Sequence, residues 1–483
     1  MGTLALHRSI LAASFALMPA MAQAQSVEPL KNPPPDGVAT TFQLTNGNVL
    51  AQGYHAYDWW LLIPDNTGSY VNGSWKRAAD MPITYAPAAV ASAVLADGRV
   101  LIEGGEYSNG IQVSDQGFTL TNKGAVYDPV ADSWAGVNPP RGWDNIGDSP
   151  SVVLPDGRFL LGDKLHKRLA LLDPNTMTWS AVPATGKNDF NSEEGWTLMP
   201  DGEVLAIDVK DHPQSELFDL KTLKWKNLGS TVADLQEPPI GGCFRYPPKN
   251  KCYYPPGEIG PAMLMPDGTV FAAGGRHAGM AHTAVYTPGK GWASGPDFPG
   301  GDAAGDSFAS LLPNGHALIE ANSGRLYEWD GKDLTAEPVT VGEFSSLMVL
   351  PTGGILVAGT EVYRSSGSWS PAWQPAITKC AGVVSRGGTY KISGKQFNGF
   401  SQANAFGDEY EQATNYPLVR ITNNGTKHVF FARTHDHSTM GVATADRIVS
   451  TRFDVDPATE TGASALVVIA NGIPSDPVAI TVQ

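Results

Sequence analysis

The chain has 483 residues, and its 48 acidic side chains outnumber 33 lysines and arginines, giving a formal net charge of −15. That balance argues against nucleic acid or an anionic membrane surface as a partner; its simpler meaning is the solubility of an exported protein. The length allows a large core and more than one domain. The 53 glycines and 37 prolines accompany strand-and-turn patterning, and no long amphipathic helix follows the N-terminus.

In chain order, residues 1–24 read as a secretory signal. His7 and Arg8 precede an apolar run from Ile10 to Met18, and Ala22-Gln23-Ala24 is an A-x-A cleavage site. The run is too short to span a bilayer and no later segment is long enough. The expectation is an exported protein, periplasmic or secreted, with no membrane span. Residues 25–36, with three consecutive prolines, form an extended lead-in. From Val38 a phrase recurs: an apolar run, a glycine turn, a second apolar run. Its clearest copy is Ser92 to Ile102. The turns fall at Asn46-Gly47, Asp97-Gly98, Asp156-Gly157, Asp201-Gly202, Asp267-Gly268, Asn314-Gly315 and Thr352-Gly353. Asn-Gly and Asp-Gly between β-rich runs are a strong hairpin signal, on the premise that both central residues take φ > 0.

After most hairpins come an apolar or aromatic residue and, six or seven positions on, a tryptophan. The pairs are Tyr127 and Trp134, Leu172 and Trp179, Phe218 and Trp225, Tyr286 and Trp292, and Tyr363 and Trp369. Four short strands per repeat make one propeller blade. With Gly-Gly after the second strand at Gly104-Gly105 and Gly274-Gly275, the repeat resembles the kelch type of β-propeller. The expected fold is all-β: a seven-bladed kelch-type β-propeller over 25–376, then an immunoglobulin-like β-sandwich over 377–483. In the second region strands alternate more regularly, and Asn423-Asn424-Gly425 reads as a hairpin turn. Cys243 and Cys252 bracket a proline-rich insertion between blades four and five and read as a local disulfide. Cys380 reads as a buried thiol.

Signal, propeller and sandwich together resemble the galactose oxidase and glyoxal oxidase family of secreted proteins, the sandwich matching that family's C-terminal early-set domain. The resemblance implies a copper-ligand histidine delivered into the propeller channel by a loop of the C-terminal domain. Thr434-His435 matches that motif, and His437 is an extra imidazole. The rest of the family's radical copper site does not carry over. Ala89 stands where the cross-linked tyrosine should start the inner strand of blade two. Gly305-Asp306 stands where a Tyr-His pair should start that of blade six, and blade one has no cysteine for the thioether.

Counting eight residues back from each turn gives the starts of the innermost strands, which ring one mouth of the channel. These are Val38, Ala89, Asp148, Glu193, Ile259, Asp306 and Phe344, with Glu258 and Glu343 one residue earlier. Converging carboxylates repel and need a cation, protons or basic partners. Glu193, Glu258 and Asp306 are therefore candidate catalytic acids. His435, His437, Asp148, Asp306 and Glu258 are candidate ligands of a divalent metal: Zn, Mn, Ca or, by the family resemblance, copper. The second strands return His55, Glu106, Lys164, Asp208, Arg276, His277 and Glu361 to the same mouth. Trp59, Trp60, Trp143 and Trp196 are candidate sugar-stacking rings. The expected function is action on, or binding of, carbohydrate or a small carbonyl compound. The alternatives are a non-catalytic glycan- or protein-binding module and, third, a copper radical oxidase.

Overall fold

A computed structural model gives the fold and describes residues 25–108, 119–239, 241–246, 251–342 and 345–483. The signal segment, Glu343 and Phe344 lie outside these residues. All seven expected hairpins form, by a different turn. Only the glycine of each pair is left-handed, with φ between 80° and 88°. The residue before it stays right-handed, and where it is Asp or Asn its side chain accepts the N–H beyond the glycine. Asp97 Oδ1 accepts from Arg99 N at 3.0 Å, Asp201 Oδ1 from Glu203 N at 3.1 Å and Asn314 Oδ1 from His316 N at 3.0 Å. The turn is thus a right-handed one closed by a left-handed glycine, and the Asx bond, not a second positive φ, selects Asp or Asn there.

Each hairpin extends into a four-stranded antiparallel blade, and seven blades close a ring. Inner and second strands such as Ala91–Val94, Val100–Glu103 and Val204–Ile207 are buried along their whole length, as strands covered by neighbouring blades on both faces must be. The tryptophan markers fall in register across the third and fourth strands: Tyr127 opposite Trp134, Leu172 opposite Trp179, Phe218 opposite Trp225 and Tyr286 opposite Trp292. Their rings stand 5.2 Å apart in the first and third of these pairs, the cross-strand aromatic contact that stabilises a sheet.

Blade seven departs from the expected pattern. Its outer strand is Ser26–Pro29, from the lead-in, paired with Glu361–Arg364. The Trp369 marker belongs to no strand, and Pro371–Trp373 forms a short 3-10 turn. Among the described residues the first strand therefore completes the last blade, joining the start and the end of the propeller in one sheet.

The C-terminal strands, Ala376–Lys379 to Val478–Val482, form a single nine-stranded sheet that curls on itself. One strand makes the curl. Val429–His435 pairs through Val429 to Ala432 with Leu418–Asn423, and through Arg433 to His435 with Val449–Asp454. The expected two layers are thus joined along this strand, around a core of Ile392, Phe397, Val419, Ile421, Phe453, Leu466 and Ile480.

This domain seats on the hairpin-turn face of the ring. Thr434 N donates to Thr45 O at 3.1 Å and Met440 N to Pro155 O at 3.1 Å. From it, residues 398–416 run into the channel. Asn404–Ala405 adds a strand to the inner edge of blade six at Ala309–Leu311. Around it, Gln412 Nε2 donates to Thr40 Oγ1 at 2.6 Å, Tyr410 Oη accepts from Ala89 N at 2.6 Å and Glu411 Oε1 accepts from Ser151 N at 2.9 Å. Gln402 Oε1 accepts from Leu198 N at 2.7 Å, and Asn404 Oδ1 from Val349 N at 3.0 Å. The segment satisfies inner-strand groups of blades one, two, three, four, six and seven and fills the channel as a plug.

Candidate functional site

The inner strands start at the mouth opposite the hairpin turns. Just before them, Ala89, Glu193 and Asp306 take φ of 51°, 59° and 48°. Non-glycine residues pay for this region with backbone strain, which persists where the surroundings impose it. Here the strained turns bring blade starts over the end of the plug.

The floor of the site is built on Lys164, which follows the second strand of blade three and is fully enclosed. Its Nζ bonds the Asp148 carboxylate, donates to Glu193 Oε1 at 2.6 Å and lies 3.6 Å from Glu106 Oε1. Glu193 Oε1 also accepts from Ser192 Oγ at 3.0 Å and from Tyr253 Oη at 2.9 Å. Tyr253 comes from the insertion between blades four and five. The expected disulfide joins Cys243 and Cys252 across a two-stranded hairpin of Phe244–Tyr246 and Lys251–Tyr253, and this sets the Tyr253 ring 5.5 Å from Lys164 Nζ. The plug contributes Asp408 and Glu409. Carboxylate oxygens of Asp148, Asp408 and Glu409 lie within 4.8 Å of one another. Glu106, Glu258 and Asp306, half-buried, form the rim.

One ammonium thus faces seven carboxyls, and the environment separates them. Burial raises Glu193, but the Lys164 ammonium and the bonds it accepts hold it below the ordinary glutamate value, so it carries charge. Burial, with the neighbouring acids, pushes Asp148, Glu258, Asp408 and Glu409 well above the carboxylate range. Burial and the charge of Glu193 push Glu106 and Asp306 up to about 7 each. Asp148 Oδ1 is enclosed without a hydrogen-bond partner, and the Asp408 carboxyl meets the carboxyls of Glu193 and Glu409, with which it can bond only by sharing a proton. Asp148 and Asp408 are 3% and 2% exposed. An enclosed, unbonded carboxylate oxygen is costly. The arrangement can hold protons or a cation, and it can exchange protons near neutrality at the rim.

A second buried network lies in blade four. Lys187 Nζ donates to Glu194 Oε1 at 2.8 Å and Glu216 Oε1 at 2.7 Å, with Asp189 and Asp208 at 3.7 and 3.8 Å. Lys187 fills the centre of these four acids, and Asp208, expected at the mouth, belongs here.

The structure brings together Asp148, Glu193, Glu258 and Asp306, with Glu106 and Lys164 from the second strands. It does not bring His435 or His437 to them. His435 ends its strand on the hairpin-turn side, with Nε2 3.1 Å from Asp454 Oδ1 and Nδ1 3.2 Å from Asp436 Oδ2. The chain then turns at Asp436, φ 51°, which breaks the strand alternation that was to align the two imidazoles. His437 stacks on Tyr416 at 6.0 Å and contacts Thr451 Oγ1 at 2.9 Å. Burial, with Coulombic effects of the neighbouring His435 and Arg433, pushes its pKa down to about 3. The plug segment, not the histidine loop, reaches the mouth. Its Phe406-Gly407-Asp408-Glu409-Tyr410-Glu411 run, acids between aromatics off the strand pattern, was the available signal. Copper of the kind the family resemblance implies does not fit this donor set: the groups gathered here are carboxylates with one ammonium, and the histidines lie elsewhere. Of the tryptophans, Trp59, Trp143 and Trp196 are buried as blade packing. Trp60 is half-exposed under Arg77 at 4.9 Å.

No protein-family profile matches the chain. A Kelch-like protein, terF, of Aspergillus terreus is 29% identical over 133 residues, 27% of this chain and 26% of that protein; the chain thus matches about a quarter of that relative's length. Among solved structures, a fungal alcohol oxidase of the AA5 family, in complex with copper, aligns over 96% of this chain and 99% of its own at 14% identity and a TM-score of 0.49. Virginiamycin B lyase from Staphylococcus aureus aligns over 70% of this chain and 98% of its own at 10% identity and a TM-score of 0.45. The seven four-stranded blades with their curled C-terminal sheet are an all-β propeller architecture, and the short match to a Kelch-like protein agrees with kelch-type repeats. Among the described residues no helix is long and apolar enough to cross a membrane.

Proposed function

We propose that this is an exported propeller protein whose channel mouth binds a hard divalent cation and acts with it on carbohydrate or a small carbonyl compound. The observation that carries the reading is the excess of buried carboxyls over the Lys164 ammonium, with Asp148 Oδ1 enclosed and unbonded and Asp408 set among other carboxyls. An all-oxygen donor set favours Mn²⁺ or Ca²⁺ over softer ions. Asp148, Asp408 and Glu409 would hold the ion, which supplies Lewis acidity toward a substrate oxygen or water. Glu258 and Asp306 at the rim take and return protons. Glu193, whose Oε1 accepts from Lys164, Ser192 and Tyr253, stays charged and fixes the ammonium.

The test is calorimetric titration of the mature protein with Mn²⁺ and with Ca²⁺, for wild type and Asp408→Asn. One equivalent in the wild type, weakened tenfold or more in the variant, is the expected result. No stoichiometric uptake by the wild type refutes the reading. A screen of sugar hydrolysis and oxidation then uses Asp306→Asn and Glu258→Gln, which should keep the ion and lose turnover.

A second reading is favoured by the depth of the floor, where Glu193 and Glu409 are only 4% and 8% exposed. In it the acids lock the plug in place, and a non-catalytic module binds glycan or protein on its outer surface. It predicts that Asp408→Asn lowers stability and leaves ligand binding intact.

A further inference from the structure

The lead-in strand Ser26–Pro29 closes blade seven, and the residue before it, Gln25, sits where blades six and seven meet. Its side chain lies against Glu337 of Leu334–Thr340, the outer strand of blade six, and against Tyr363 of Glu361–Arg364 in blade seven. The motif Ala22-Gln23-Ala24 ends immediately before Gln25, so leader cleavage there makes Gln25 the first residue of the exported chain. We propose that Gln25 is a modification site: its freed α-amine closes on its own side chain to give a pyroglutamyl N-terminus, with Glu337 carrying the proton. This rests on the protein being exported, as proposed above, and on cleavage after Ala24.

The reaction needs no co-reactant. The neutral α-amine attacks Cδ of the Gln25 carboxamide and forms the N–Cδ bond of a five-membered lactam. The Cδ–Nε2 bond breaks, and Nε2 leaves as ammonia with the proton that the amine gives up. An amide nitrogen is a poor leaving group until it is protonated, so that proton transfer governs the rate. Nε2 donates to Glu337 Oε2 and stands 3.3 Å from Tyr363 Oη. The carboxyl that is to deliver the proton is therefore already on the atom that must leave.

The surroundings fit Glu337 to this task. It is half-buried, and burial with the neighbouring Glu328 raises its proton affinity above that of an ordinary glutamate. Tyr363 Oη donates to Glu328 Oε2 at 3.2 Å. Burial and the two acids hold this phenol protonated, so toward Nε2 its oxygen acts as an acceptor and helps to place the leaving atom.

The modification also suits the place. An aminopeptidase starts from a free α-amine, and after cleavage only Gln25 precedes the closing strand. Ser26, Glu28 and Pro29 of that strand are exposed. Trimming would strip the outer strand from blade seven, and a lactam end denies it a start.

The experiment expresses the full chain with its leader in an exporting bacterial host and reads the N-terminal tryptic peptide, which ends at Lys31, by mass spectrometry. Intact mass before digestion guards against cyclisation during handling. The expected peptide begins at residue 25, is lighter by one ammonia and lacks a reactive α-amine. A peptide that begins at residue 25 with its amine free overturns the proposal and leaves export standing. One that begins elsewhere, at Gln23 included, overturns it by moving the cleavage point, and an uncut leader overturns export as well. The mature chain released at Gln25 from a cleavable fusion then gives the rate. Folded wild type should cyclise roughly a hundredfold faster than the same chain in guanidinium, the low end of general acid catalysis. Glu337→Gln, shown to be folded by near-ultraviolet circular dichroism, should lose that advantage. Equal rates for folded and unfolded chains, or for wild type and Glu337→Gln, overturn the role of Glu337.

Discussion

Replacing Lys164 by methionine removes the ammonium at the centre of the floor and keeps the volume of its stem. Lys164 is fully enclosed and bonded to Asp148 and Glu193. Asp148 already tends to hold its proton, so the charge left stranded is that of Glu193. Removing one partner of a buried ion pair costs about 3–5 kcal/mol. Protonation limits the loss, since each unit of pH below the new pKa recovers about 1.4 kcal/mol. The sign follows from Glu193 being depressed in the wild type. Its stabilising share is present above the unfolded value of 4.5 and is lost as pH falls through the lower folded value. The gap between wild type and variant should therefore be full at pH 8 and narrow toward pH 4. Guanidinium unfolding at pH 8, 6 and 4 measures it. A gap under about 1 kcal/mol at pH 8, or one that does not change with pH, would refute the electrostatic account of the floor.

Glu106 and Asp306, each pushed up to about 7, should make cation uptake rise as pH climbs through 7, and Asp306→Asn should flatten that rise in calorimetric titrations. Without a cation the same two groups act oppositely on stability, because a carboxyl raised in the folded state contributes fully below its unfolded value of 4.5 or 3.8 and loses that share as pH rises through about 7; thermal unfolding from about pH 4 to 8 reports it. His435→Ala should leave Mn²⁺ or Ca²⁺ uptake within twofold of wild type, since its partners are Asp436 and Asp454; loss of the ion would contradict the placement. Gly47→Ala should destabilise by more than the ~1 kcal/mol of a left-handed alanine, because the new Cβ would stand 2.3 Å from the Phe431 ring and push the C-terminal domain off blade one.

The ring was legible because its information is local and repeated. Each turn carries a glycine in a left-handed position, and in four blades the third strand announces its partner with a tryptophan. The same counting placed Asp148, Glu193, Glu258 and Asp306 at one mouth. What failed depends on long-range threading. Asp408 and Glu409 look like ordinary loop acids until the segment is seen in the channel, where Gln412 meets Thr40. His435 was assigned by a two-residue motif, and a single left-handed residue, Asp436, undoes the geometry that motif presumes. Trp369 was taken as a strand marker because nothing near it shows that Ser26–Pro29 already supplies that strand.

The closure of blade seven and the plug together set an order of assembly. Ser26 finds its partner at Arg364, and the plug residue Tyr410 finds its own at Ala89. Contacts this distant in sequence form late, because their loop entropy must be met before they return anything. The first strand to be made waits unpaired for the seventh blade, and the mouth acquires Asp408 and Glu409 only after the final hundred or so residues have been made. A chain that has not yet threaded residues 398–416 therefore holds blades whose mouth lacks Asp408 and Glu409.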